Sequence, residues 1–388
     1  MTCSLDRTPV VIAARRTPIG TVGKALAGVD LVGLVAPVLR ALLDDLGPDA
    51  PGVDDVVIGN CMGPGGNPAR VAALAAGLAK GVPGLTVDRQ CGSGQEAVHH
   101  AATAVLAGVA DLVLAGGAES ASTAPWRLAR PTTSSGMPTP YARAPFAPTE
   151  IGDPDMGPAA DALAVMCGVT RERQDAYAAR SHALALSASL AGAFDAEIVP
   201  LRGVVSDERP RHLNEFALSR MRPAFVSGGT VTAGNCCGVS DGAAVVAVVP
   251  AAVRAELEVP GLALRGWVSV GLDPNTPGLG PVPAVNKLLH GLGIGLAQVG
   301  VVEMTEAFAA QVLACTDALG LDPLGLDAAR VCPQGGAIAM GHPWGASAAM
   351  LLVRLFAQMV RVDGPRLGIA TCAVGGGQGL ALLAERVG

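Results

Sequence analysis

The stretch Leu85-Thr86-Val87-Asp88-Arg89-Gln90-Cys91-Gly92-Ser93-Gly94 passes from a short β-branched run, through a glycine-flanked turn, into an Ala-rich helix that reaches about Ala107. A strand, Leu112-Val113-Leu114-Ala115, follows and ends in Gly116-Gly117. The same order returns between 331 and 377. There a strand leads to the turn Gly335-Gly336-Ala337-Ile338-Ala339-Met340-Gly341-His342-Pro343-Trp344-Gly345, then to an Ala-rich helix and a strand that runs into Gly375-Gly376-Gly377. One copy carries Cys91 at its turn and the other carries His342. Repeated strand–turn–helix–strand units predict an α/β fold with an internal duplication that brings two turns to one site.

Outward from these units, short apolar strands alternate with Ala/Leu-rich helices, as in proteins with buried sheets. A strand is predicted over 10–12, a helix over 31–46, a strand over 54–59 and a helix over 68–80. Between Pro125 and Pro158 the prolines, glycines and Thr132-Thr133-Ser134-Ser135 predict a long excursion with little regular structure. A polar helix over 170–190 comes next, with Arg171, Glu172, Arg173, Asp175 and Arg180 on a wet face. A strand returns at 245–249, and a second α/β half begins at Leu262. The reading is therefore an N-terminal α/β half (1–120), an inserted loop or lid domain (121–230), a return of the first half (231–254) and a C-terminal half (255–388).

Composition bounds the function. The 388 residues are 50% hydrophobic and 15% charged, against about 25% charged in ordinary domains, which excludes disorder. Mean hydropathy is +0.44, yet the uncharged stretch 331–353 contains Gln334, His342, two prolines and several glycines. No clean run of about 20 apolar residues exists, so no spanning helix is expected. Only 3% of residues are aromatic; the core must be built from Ala, Val and Leu, and a surface this poor in charge suggests burial against another subunit. The net charge of −6 without a basic cluster excludes a nucleic-acid footprint. The first seven residues show no basic-then-apolar leader, and the nine cysteines lack the paired spacing of a zinc site. Free thiols in a reducing cytoplasm, with no metal, are the simplest reading.

Four elements can carry chemistry. Cys91 precedes a helix, whose positive end favours thiolate and hence a nucleophile; the bland alternative is a small buried hydrophobe. His342 precedes a proline, which pushes it out of helical geometry onto an extended turn where it can take a thiol proton; His99 and His100 read as structural. The run Ala373-Val374-Gly375-Gly376-Gly377 offers backbone N–H groups to an oxyanion, or is simply a tight turn. In Met304-Thr305-Glu306-Ala307-Phe308, Thr305 is a candidate N-cap, and Glu306 is a candidate support for the catalytic groups.

Together, in this order, these elements resemble the thiolase family. The likeness covers nearly the whole chain and includes 14–20, Asn67-Pro68-Ala69-Arg70, Ala115-Gly116-Gly117-Ala118-Glu119-Ser120, Arg222-Pro223-Ala224-Phe225, 230–235 and Asp241-Gly242-Ala243-Ala244. The resemblance implies the thiolase fold: two similar α/β halves in five layers (αβαβα) with an inserted loop domain, assembled as homodimers or homotetramers. It implies that an acyl-CoA acylates Cys91, that His342 is the base, and that N–H groups at Cys91 and Gly375 hold the acyl-enzyme oxygen. CoA would lie against the loop domain, near Met156, Cys237, Ala307 and Phe308, with Arg211 by the adenine. No permanently bound cofactor is implied, only a thioester substrate from CoA or an acyl-carrier protein.

The departures fall on one step. The family's second catalytic cysteine stands two residues before the glycine triplet, where this chain has Ala373; Cys372 is one residue earlier, a step that turns a strand side chain to the opposite face. Thr305 replaces the asparagine that holds a water for the enolate, Asp155 replaces a loop-domain histidine, and Cys237 replaces a CoA-contacting serine. Acylation is thus equipped and Cα deprotonation is altered. Three second steps fit: transfer to an amine, alcohol or thiol; decarboxylative condensation; or ordinary thiolase chemistry if Cys372 or a displaced group reaches the substrate. A thioesterase and a lapsed homologue that only binds CoA thioesters are the rivals.

Overall fold

The structure, a computed structural model, describes residues 7–388; residues 1–6, with Cys3 and most of the start read above for a leader, lie outside the described residues. The chain opens with β1 (Pro9–Arg16) and the short β2 (Gly20–Thr21), then α1 (Leu31–Leu46), whose Asp30 side chain caps the Gly33 N–H at 2.7 Å. β3 (Asp55–Gly59), α2 (Pro68–Ala75), β4 (Leu85–Val87), α3 (Ser93–Leu106) and β5 (Val113–Ser120) follow. α2 ends at Ala75 rather than near 80. There Gly77 takes φ +91°, and the Leu78 N–H returns to the Ala73 carbonyl at 3.1 Å, closing the helix.

The excursion after β5 holds only the two-residue strands β6 (Leu128–Ala129) and β7 (Thr139–Pro140) before α4 (Met156–Met166), α5 (Arg171–Leu190) and α6 (Glu215–Ser219). β8 (Ser240–Pro250) then re-enters the first half between β1 and β5. α7 (Ala251–Glu256) leads to β9 (Gly261–Gly271), α8 (Pro281–Leu292), β10 (Val301–Met304), α9 (Ala309–Leu319), α10 (Ala337–Met340), α11 (Trp344–Phe356), β11 (Leu367–Val374) and β12 (Gln378–Val387).

The duplication is explicit in the strand order. In the first half β4-β3-β5-β8-β1 lie side by side, with β3 parallel to β4 and β5, and β8 antiparallel to β5. The second half repeats this as β10-β11-β12-β9. Here β10 is parallel to β11, β12 is antiparallel to it, and Val331 bridges Val302 in the place β4 holds against β3. The half-sheets join where Val10 and Val11 of β1 meet Ala263 and Leu262 of β9.

Three apolar clusters separate the layers. α1 and α2 cover one face of the first half-sheet through Leu34, Leu39, Ile58, Leu114 and Val245. α3 and α11 fill the space between the half-sheets, with Ala101, Val105, Leu352 and Leu355 packed against Val246 on one side and Leu382 on the other. α8 and α9 cover the outer face of the second half-sheet through Leu288, Leu313, Ile369 and Leu383. The order is αβαβα, five layers.

The middle layer is held close by glycine. A Cβ on Gly94 of α3 would lie 2.8 Å from the Ala349 Cβ and from the Gly345 carbonyl oxygen, and one on Gly117 of β5 would lie 2.9 Å from the Gly94 Cα. A Cβ on Gly345 would meet the Asn60 Cα at 2.9 Å. Only residues without a side chain let the starts of α3 and α11 cross this near to β5.

α5 corrects the sequence reading. Glu172 of the expected wet face is exposed and its arginines are half-buried, but Asp175 is buried, together with Gln174, Tyr177, Ser181 and His182. Asp175 pairs with Arg171 at 2.7 Å and accepts from Asn235, and Arg180 donates to the carbonyls of Ala328 and Val331. Asp175 and Arg180 are met by loops packed on the helix, which a helical polar pattern cannot distinguish from solvent.

Candidate active site

Cys91 sits in a single 3₁₀ turn, Gln90–Gly92, between β4 and α3. Gln90 takes φ +42°, uncommon for a residue with a side chain, and its N–H is held by Asp88 at 2.8 Å. Ser93 closes the turn, its hydroxyl donating to the Gln90 carbonyl at 2.6 Å and accepting from the Arg89 N–H at 2.8 Å. His342 lies in the equivalent turn before α11. Its own N–H donates to the Gly238 carbonyl at 2.9 Å, and Val239 bridges it.

Both side chains line one cavity of about 380 Å³, together with Gly375, Ala373, Met156, Cys237, Ala307 and Phe308. That volume suits a small ligand or acyl group. Segment 235–239 gathers the wall: Cys236 bridges Phe308, the Cys237 N–H reaches the Ala307 carbonyl at 3.0 Å, and Gly238 holds His342. Phe146, in the excursion after β5, packs its ring on Gly375, where a Cβ would come within 2.8 Å of it, and the Gly375 N–H finds no acceptor among the described residues. A free N–H beside the thiol is what a thioester oxygen needs.

The protonation states follow from burial. His342 is 3% exposed and is pushed down to about 4, so its imidazole is neutral near pH 7. Its Nδ1 lies 2.6 Å from the Ser347 hydroxyl, which also lies 3.0 Å from the Pro343 carbonyl oxygen. In the tautomer that carries its proton on Nδ1, this nitrogen donates to Ser347 and Nε2 is the base. Burial also pushes the Cys91 thiol well above its usual range, with Cys372 and Cys237 adding to the effect. The resting pair is therefore thiol and neutral imidazole. Burial thus works against the thiolate expected from the helix N-terminus.

The remaining candidates divide. Cys372 is fully buried off the cavity wall, packed with Ala348, Val374 and Leu380; its thiol donates to the carbonyls of Cys91 at 3.5 Å and Ala373 at 3.1 Å, and burial pushes it up to about 12. Ala373, paired with Gly379, is the wall residue. Thr305 is likewise outside the main cavity and caps no helix. Its N–H reaches the Thr371 carbonyl at 3.1 Å, its side chain is buried beside the Cys372 thiol, and the residue borders a separate void of about 20 Å³ with Glu303 and Ser347, room for about one water. Arg211 lies on an exposed loop off the wall, its guanidinium turned to the Arg209 carbonyl at 3.1 Å. Asp155 is exposed and pairs with Arg143 at 2.8 Å.

Glu306 does not reach the cavity. It accepts from Tyr177 at 2.8 Å, Ser181 at 2.6 Å and the Ile338 N–H at 3.2 Å, tying the Thr305–Phe308 loop to α5 and to the turn before His342. Sequence reasoning missed Glu119, whose buried carboxylate accepts from Asn60 at 2.8 Å and from the N–H groups of Cys61, Met62 and Gly345 at 3.1–3.2 Å, pinning the β3 loop to the start of α11. It also missed Ser347 and Phe146. A serine five residues after His342, in the first turn of the next helix, was the available signal for the first; nothing in the sequence pointed to the second.

Comparison with known proteins agrees with this geometry. The thiolase N-terminal domain model matches residues 9–252, and the thiolase C-terminal domain model matches 258–386. An acetyl-CoA acetyltransferase of Pseudomonas aeruginosa is 42% identical over 97% of this chain and 99% of its own length. A putative acetyl-CoA C-acetyltransferase, VraB, of Staphylococcus aureus is 40% identical over the same shares. Among solved structures, the Bacillus anthracis acetyl-CoA acetyltransferase aligns with TM-score 0.89 at 36% identity over 98% of this chain and 99% of that one. Human mitochondrial 3-ketoacyl-CoA thiolase aligns with TM-score 0.89 at 30% identity over 99% and 100%. With its duplicated halves, five layers and a thiol and an imidazole lining one cavity from opposite halves, the chain belongs to the thiolase family of enzymes.

Proposed function

We propose that the enzyme takes an acyl group from a CoA or carrier-protein thioester onto Cys91 and passes it on by a second step altered from ordinary Claisen condensation or thiolysis. The observation that carries this is the asymmetry of the wall: Cys91, His342 and the free Gly375 N–H share the cavity, while Ala373 presents a methyl group where the family resemblance implies a cysteine. In the loading step His342 Nε2 accepts the thiol proton as sulfur attacks the thioester carbonyl. The carbonyl oxygen turns to the Gly375 N–H, and the proton leaves with the departing CoA thiolate. Removal of a Cα proton has no such partner at 373. An acceptor amine, alcohol or thiol needs only His342, and a decarboxylating donor needs no Cα base.

The ordinary acetyl-CoA C-acetyltransferase reading is favoured by the names of the relatives at 42% and 40% identity; it requires a base other than Cys372, and the wall offers the thiol of Cys237. A homodimer or homotetramer working in the cytoplasm, with no resident cofactor, completes the proposal. Intact-mass measurement after exposure to an acyl-CoA panel tests it: one acyl group on Cys91, absent in Cys91→Ala, is the expected result. An unmodified Cys91 in protein that turns over acyl-CoA would overturn it, and rapid acetoacetyl-CoA cleavage would favour the second reading.

A further inference from the structure

Two guanidinium groups line the cavity, and they differ. Arg143 is neutralised by Asp153 at 2.9 Å and Asp155 at 2.8 Å, and it lies 4.8 Å over the Phe146 ring. Arg127, just before β6 of the lid, is half-buried and donates a single hydrogen bond, from Nη2 to the Cys61 carbonyl at 3.0 Å; no carboxylate pairs with it among the described residues. Cys61 in turn donates its thiol to the Gln90 carbonyl at 3.0 Å. The free cation therefore stands two hydrogen bonds from the turn that carries Cys91.

Its surroundings make this lone cation informative. The wall is mostly apolar, with Phe146, Leu163, Phe225, Phe308 and Trp344. Asp88, the acid on the same wall, is turned to the Gln90 N–H. A guanidinium has five N–H donors in a fork that fits a carboxylate, and desolvating it in such a cavity is unfavourable unless an anion meets it.

We propose that Arg127 receives a carboxylate at the far end of the acyl group, so that the preferred substrate is the monothioester of a dicarboxylic acid. This rests on Cys91 as the acyl carrier. In the loading step the bond from the carbonyl carbon to the CoA sulfur breaks and one to the Cys91 sulfur forms. The thiol proton travels through His342 to the CoA thiolate, and the distal carboxylate is unchanged. The distal carboxylate takes no part in the bond exchange and is retained through transfer.

Binding of non-transferable CoA thioethers tests the site apart from the chemistry. S-(4-carboxybutyl)-CoA and S-pentyl-CoA are compared by calorimetry on the full chain and on Arg127→Met, whose fold is checked by its melting temperature. The carboxylated ligand should bind at least about tenfold more tightly to the native enzyme, with the gap closing to about twofold or less in Arg127→Met. No gap in the native enzyme, a gap that survives the substitution, or an equal weakening of both ligands (Arg127 holding CoA itself) would each overturn the proposal. Loading of Cys91 by glutaryl-CoA and by butyryl-CoA is measured alongside. A binding gap without any loading would sink the acyl-carrier reading and leave the Arg127 site standing; loading without a gap would do the reverse.

Discussion

Substituting Ala373→Cys asks whether the step that this family performs by removing a Cα proton is missing one sulfur atom. Ala373 pairs with Gly379 and borders a cavity of about 380 Å³, so a thiol there projects into free space instead of the core. A positioned base contributes about 10²–10⁴-fold, or roughly 3–5.5 kcal/mol of barrier. Thr305 is not on the wall of the main cavity, so the enolate oxygen still lacks a donor worth roughly 3 kcal/mol, and the low end of that range is expected from the single change. The assay is CoA-dependent cleavage of acetoacetyl-CoA, read as kcat/KM. Ala373→Cys should raise it by at least about 10²-fold. Cys372→Ala should alter it by less than about threefold while lowering the melting temperature, because it removes a buried side chain. No gain in a folded Ala373→Cys enzyme, or loss of cleavage in Cys372→Ala, would refute the assignment of wall and core faces on β11.

Two further outcomes follow from the site and its seam. Because Cys91 is held as a thiol beside a neutral His342, its alkylation by iodoacetamide should accelerate roughly tenfold per pH unit from about pH 7 to about pH 9, following the rising thiolate fraction; a rate already flat by about pH 7 would show a thiolate–imidazolium pair instead. Gly117→Ala places a methyl group against Gly94 and Gly345 and should cost about 3 kcal/mol or more in stability as well as Cys91 loading, whereas Gly81→Ala, with open space around it, should change neither by more than about 0.5 kcal/mol.

The halves were legible because their signals are local. Cys91 and His342 each stand in a glycine-rich turn between strand and helix, and the repeat of that pattern was enough to place them at one site. The face assignment of Ala373 and Cys372 was legible too, since alternation along a strand is strict. What the sequence concealed depends on distant partners. The charge state of Cys91 is decided by burial under elements far along the chain, so the helix dipole alone misled. α5 reads as amphipathic-polar, yet Asp175 and Ser181 are satisfied by Asn235 and Glu306, 60 and 125 residues away. Thr305 reads as an N-cap because the motif fixes its position in the chain but not where the next helix starts; that cap falls to Phe308, and Thr305 lies off the wall of the main cavity.

The glycine seam between α3, β5 and α11 has an evolutionary consequence. The spacing that joins nucleophile to base is set chiefly by main-chain atoms, so side-chain exchange has little there to adjust. The excursion after β5 and the wall residues it carries, such as Phe146, stand apart from that seam. Descendants of such a scaffold can therefore trade one substrate for another, or one acceptor for another, while the first half-reaction is inherited intact.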